Sequence, residues 1–104
     1  MRVIVIGTKE GNVRIHDTEG FLYDFQHLVD GYIEACAPAE LRGQGIELLC
    51  NEEGLLRGLD CNVNLFPFFF VGTLVMVGFE GDRFTSLTDK QIDYAMQWLK
   101  DLDR

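Results

Sequence analysis

From Leu65 to Phe79 the chain reads LFPFFFVGTLVMVGF, almost wholly apolar and interrupted only by Pro67, Gly72, Thr73 and Gly78. A membrane-spanning helix needs about 20 apolar residues, and this stretch falls short of that. Its β-branched and aromatic side chains, with Pro near one end and Gly within, read as a strand entered through an irregular segment. A strand apolar on both faces sits in the middle of a core or forms half of an interface. The remaining segments must therefore cover it.

Those segments alternate turns with short strands. Arg2 to Gly7 is β-branched and reads as a first buried strand, and Thr8 to Asn12 supplies turn chemistry. Val13-Arg14-Ile15-His16 returns antiparallel, with Val13 and Ile15 expected to face in. Asp17 or Thr18 can cap a helix over about Glu19 to Asp30, on which Phe21, Leu22, Phe25, Leu28 and Val29 form one apolar stripe. Gly31 stands where a left-handed residue ends such a helix.

Tyr32 to Cys36 reads as a third strand, stopped by Ala37-Pro38. Ile46 to Cys50 reads as a fourth, Asn51-Glu52-Glu53-Gly54 as a tight connection, and Leu55 to Leu59 as its return. Asp60 to Asn64 is expected to be irregular. Near the end, Ser86-Leu87-Thr88-Asp89-Lys90-Gln91-Ile92 carries the chain's clearest local signal. Thr88 is the N-cap, Gln91 closes a capping box, and Leu87 staples against Ile92. Ile92, Ala95, Met96, Leu99 and Leu102 form the buried face of that helix, with Tyr94 and Trp98 beside it.

The pattern predicts one α+β domain over residues 1–104: an antiparallel or mixed sheet of about five to six strands with two helices packed on one face. The second face, including part of the long apolar strand, would then be open, which predicts a homodimer.

Net charge is −8, from 17 acidic against 9 basic residues. Binding to nucleic acid relies on Lys and Arg neutralising phosphates, so direct contact with DNA or RNA is disfavoured, as is an anionic membrane surface. An acidic surface either maintains solubility or faces a basic partner. The residues before Thr8 are too few for a secretory hydrophobic region, which places the chain in a cytoplasm. The three cysteines, Cys36, Cys50 and Cys61, cannot all pair and form no CxxC, in keeping with free, buried thiols in a reducing compartment.

Several of these segments together resemble a family of small phage, plasmid and gut-bacterial proteins known only as a domain of unknown function. The resemblance rests on MRVIVI, on Leu28-Val29-Asp30-Gly31-Tyr32-Ile33-Glu34, on Cys50-Asn51-Glu52-Glu53-Gly54, on Val71-Gly72-Thr73 and on Ser86-Leu87-Thr88-Asp89. Asp30 departs from the VGGYIE that the family favours. LFPFFF follows Leu59 to Asn64 where the family tends to carry a Pro-containing Asn-Arg segment. The resemblance implies a mobile genetic element, a bacterial cytoplasm and an accessory role, and it brings no activity with it.

Chemistry-bearing spacings are sparse. Cys36, Cys50, Cys61, His16 and His27 include no pair at zinc-motif spacing, although Cys50 and Cys61 would approach each other across a hairpin. Glu52, Glu53 and Asp60 read first as an exposed acidic turn in which Asn51 bonds to local backbone. No glycine-rich phosphate loop opens a helix. No catalytic residue, metal or cofactor is assigned on these grounds. Aromatic anchors within a charged rim suit a protein interface, and the residues singled out for contact are Asn51, Glu52, Glu53, Tyr32, Glu34, Phe68, Phe70, Asp89, Asp93 and Trp98.

The expected function is that of a non-enzymatic, acidic binding protein that occupies a host protein, such as a nucleic-acid-binding defence nuclease. One alternative is a protein that sequesters or senses a small molecule or nucleotide signal, with Arg57, Arg83 and Asn51 as anion contacts. Another is a thiol or metal-dependent hydrolase.

Overall fold

The computed structural model describes residues 1–8, 12–65 and 68–102, with the backbone alone at 63–65 and 68–69. Phe66 and Pro67 lie outside the described residues, as does the side chain of Phe68.

The long apolar stretch is two strands, not one. β6 (Phe68–Val71) ends at Gly72, whose φ of +74° is open only to glycine without strain, and β7 (Leu74–Glu80) begins two residues later. The Leu59 side chain lies 2.8 Å from where a Cβ on Gly72 would stand. The two strands join different sheets. β6 pairs with β5 (Cys61–Leu65) in a separate two-stranded ribbon, so the segment expected to be irregular is largely strand. Residues 52–58 form turns in place of the expected return strand.

β7 is central to a six-stranded, wholly antiparallel sheet. It pairs with β1 (Arg2–Ile6) on one side and β4 (Ile46–Asn51) on the other, with Met76 opposite both Ile4 and Leu48. β2 (Val13–Asp17) flanks β1, β3 (Ile33–Ala35) flanks β4, and β8 (Arg83–Thr85) pairs with the end of β7. β2 and β3 are therefore the two lateral edges. Two of the helices are long: α1 (Leu22–Val29) and α3 (Asp89–Asp101). A single turn, α2 (Ala39–Arg42), separates β3 from β4. No described helix is long and apolar enough to cross a membrane.

The α+β class and the sheet agree with the sequence reading, but the two long helices take opposite faces. Ile4, Ile6, Leu48, Leu74 and Met76 pack with Leu41, Phe70 and the α3 residues Ile92, Ala95 and Leu99. Val3, Val5, Leu49, Val75 and Val77 pack with Phe25 and Val29 of α1. The cause is the two-residue period of a strand: β1, β4 and β7 are apolar at consecutive positions, so each face needs its own cover. The open face from which a homodimer was expected is thus absent at β7.

Local signals hold where they are self-contained. Thr88 Oγ1 accepts from Gln91 N at 3.1 Å, Gln91 Oε1 accepts from Thr88 N at 3.0 Å, and Leu87 and Ile92 are buried. α1 departs from expectation because Phe21, not Asp17 or Thr18, is its N-cap, and the Asp24 carboxylate accepts from Phe21 N at 3.0 Å. Phe21 and Leu22 consequently leave the buried stripe and are exposed, with the Phe21 ring stacked on Tyr23. Ile15, in the middle of edge strand β2 and expected to face in, is exposed as well. At the far end of α1, Asp30 takes the left-handed conformation expected of Gly31.

Candidate functional site

A cavity of about 750 Å³ lies where edge strand β3, β4, the turns after Asn51 and β6 meet. Its wall includes Glu34, Cys36, Cys50, Glu52, Leu55, Leu56 and Phe70. The β3–β4 register assembles it. Glu34 lies opposite Cys50 and Ala35 opposite Leu49, and two further bonds extend the ladder: Cys36 N to Leu48 O at 2.8 Å and Glu52 N to Tyr32 O at 2.8 Å. Tyr32, Glu34, Cys36, Cys50 and Glu52 therefore share one face of the strand pair.

Three residues hold the cavity's frame. Asn51, only 5% exposed, donates from Nδ2 to the carbonyls of Val29 (3.0 Å) and Asp30 (2.9 Å), and its Oδ1 accepts from Glu53 N at 2.8 Å. Its polar atoms are engaged in closing α1 and shaping the turn, so it supports the site from inside. Arg57 reaches the same helix end, donating to the Asp30 carbonyl and pairing with the Asp30 carboxylate at 2.9 Å. Glu47, 8% exposed, accepts from Ala37 N at 2.9 Å and Leu48 N at 3.0 Å, and pairs with Arg42 Nε at 3.2 Å. No motif marks Glu47, since two of its partners, Ala37 and Arg42, stand ten and five residues earlier, before and at the end of α2.

The rim combines exposed apolar and acidic side chains. Leu56 is 89% exposed, Leu55 75% and Tyr32 65%, while Glu34, Glu52 and Glu53 are exposed acids beside them. Three ion pairs among the described residues draw Arg2, Arg42 and Arg57 onto Asp89, Glu47 and Asp30. The arginines nearest the cavity are thereby drawn into ion pairs, and among the described residues Glu34, Glu52 and Glu53 enter none.

Cys36 and Cys50 lie diagonally across the strand pair with their sulfurs 3.1 Å apart. The thiol of Cys36 donates to the sulfur of Cys50, which holds Cys50 below the ordinary thiol range against the opposing effects of burial and Glu34. That shared proton, burial and the carboxylates of Glu34 and Glu47 push Cys36 far above it. Cys61, which a hairpin would have brought toward Cys50, is exposed at the start of β5 and is not among the cavity residues. Among the described residues no three His, Cys, Asp or Glu side chains converge as a metal site.

The structure thus gathers Glu34, Glu52 and Phe70 around the cavity, with Tyr32 on the adjoining strand face, Glu53 in the following turn and Asn51 beneath. Asp89, Asp93 and Trp98 lie elsewhere, on α3. Asp89 pairs with Arg2, Asp93 is exposed, and Trp98 Nε1 donates to Glu40 Oε1 at 3.3 Å. Phe70 is buried in the core and forms the cavity floor.

Residues 1–100 match the family model described as a domain of unknown function, DUF3846. The chain belongs to the DUF3846 family. No curated protein and no solved structure matches it.

Proposed function

We propose that this DUF3846 protein is a non-enzymatic binding protein of a phage or other mobile element. It acts in the bacterial cytoplasm by occupying a basic, nucleic-acid-binding surface of a host protein, such as a defence nuclease. One observation carries the reading: Leu55 and Leu56 stand exposed at a recess that Glu34 and Glu52 also line, with Tyr32 and Glu53 exposed beside it, and among the described residues none of these acids is in an ion pair. Apolar anchors inside a charged rim are how protein interfaces are built, and the sign of this rim selects a partner rich in Lys and Arg. A net charge of −8 adds long-range attraction to the same partner.

Cleavage assays with a panel of purified host nucleases test this. Inhibition by the wild-type chain, lost in the double variant Glu34→Lys/Glu52→Lys, is the expected result. Undiminished cleavage across the panel, with no binding, would remove the proposal.

The size of the recess favours a second reading, sequestration of a small molecule, because about 750 Å³ falls within the usual 300–1,000 Å³ of ligand pockets. Acids at the rim and an Arg57 already held by Asp30 suit a neutral or cationic ligand better than a nucleotide. Calorimetry against cationic and neutral metabolites separates the two readings, since the first predicts no heat of binding from either.

A further inference from the structure

We propose that Cys36 and Cys50 form a redox-active dithiol, closing to a disulfide by exchange with a small disulfide that enters the cavity beside Leu55 and Leu56. The inference goes beyond the partner-binding reading and does not depend on it.

Distance decides between the two uses of such a pair. The sulfurs are 3.1 Å apart. A tetrahedral metal with bonds of about 2.3 Å to each would hold them about 3.8 Å apart, so a metal would have to spread the strands. A disulfide of about 2.05 Å asks this diagonal pair for closure by only about 1 Å between the sulfurs. Position agrees. Both residues are partly exposed and line the same recess, and one of them follows directly on an edge strand.

The hydrogen bond assigns the roles. With the Cys36 thiol donating to Cys50 Sγ and the Cys50 thiol left with only the Glu34 carbonyl at 3.6 Å, Cys50 is the sulfur that ionises to the nucleophile and Cys36 the resolving one. Cys50 thiolate attacks one sulfur of the small disulfide RSSR, forming a mixed disulfide and expelling RS⁻, which takes up a proton. Cys36 then gives up its proton and attacks Cys50 Sγ, breaking the mixed bond and expelling the second RS⁻. Two electrons pass from the protein dithiol to RSSR, and two RSH are released.

Peptide mapping by mass spectrometry tests this on the full chain, equilibrated in glutathione buffers of rising oxidised fraction and then acid-quenched and alkylated. The expected product is a Cys36–Cys50 cross-link, two hydrogens lighter than the reduced protein. Its yield should follow the ratio of oxidised glutathione to the square of reduced glutathione, with Cys61 outside the link. Cys36→Ser should trap a glutathione adduct on Cys50, and Cys61→Ser should leave the cross-link unchanged. Wild-type protein that stays alkylatable at both Cys36 and Cys50 in the most oxidising buffer would overturn the proposal. So would glutathione adducts confined to Cys61, or links that run through Cys61.

Discussion

Asn51 Nδ2 stands 2.9 Å from the Asp30 carbonyl oxygen, so a side chain at the end of β4 caps the last turn of α1 across 21 residues of sequence. Carbonyls at a helix C-terminus have no partners within the helix, and here a buried amide supplies them. Asn51→Ala would strip that bond and the one to Val29, which predicts a loss of about 2–3 kcal/mol. Asn51→Asp turns a donor into an acceptor facing two carbonyls and should cost at least as much. Urea unfolding of both variants checks this, and a shift below about 0.5 kcal/mol, typical of an ordinary surface change, would contradict it.

How much of this was legible in the sequence depends on how local each signal is. The capping box of α3 was readable because Thr88 and Gln91 are three residues apart and need nothing else. The apolar strands were readable from composition, but not that Gly72 would divide Leu65 to Phe79, since both halves are equally apolar. The opposite placement of α1 and α3 follows from consecutive apolar residues in β1, β4 and β7, a pattern that shows two faces need cover without naming what covers them. The site was least legible. Cys36 meets Cys50 only through the β3–β4 register, and their separation of 14 residues corresponds to no motif. Asn51 was visible as a turn residue, while its grip on α1 was not.

Glu47 makes a second structural prediction. Its carboxylate serves Ala37 N, Leu48 N and Arg42 at once, joining α2 to β4 behind the cavity. Glu47→Leu keeps the bulk and removes every acceptor, and should cost about 2 kcal/mol, the scale of a hydrogen bond to a charged group plus an orphaned N–H. Glu47→Gln retains one acceptor oxygen and should lose less. Equal stability of the Leu variant and wild type in a thermal melt would refute this role.

Leu55 and Leu56 should behave oppositely. Because they are exposed, Leu55→Ser and Leu56→Ser are expected to change stability by no more than about 0.5 kcal/mol. If they are contact residues, the same substitutions weaken partner capture while leaving the denaturation midpoint in place. Substitutions that unfold the chain would show that these leucines belong to the core.

The thiol pair predicts an ordered pH dependence. Lowering of the Cys50 pKa means that its thiolate, the species that reacts with iodoacetamide, appears at lower pH than for an ordinary thiol. Raising of the Cys36 pKa postpones its reaction to far more alkaline solution. Alkylation followed by peptide mass spectrometry should therefore label Cys50 well before Cys36 as pH rises. Simultaneous labelling of the two would mean that they do not share a proton.

The central claim, that an acidic rim engages a basic nucleic-acid-binding surface, is tested most directly by competition. Immobilised wild-type chain and the Glu34→Lys/Glu52→Lys variant are each exposed to bacterial lysate, and the captured proteins are challenged with duplex DNA. The account predicts a protein held by the wild type, not by the variant, and released by the duplex. A protein held equally by both, or one that duplex DNA leaves in place, would contradict it.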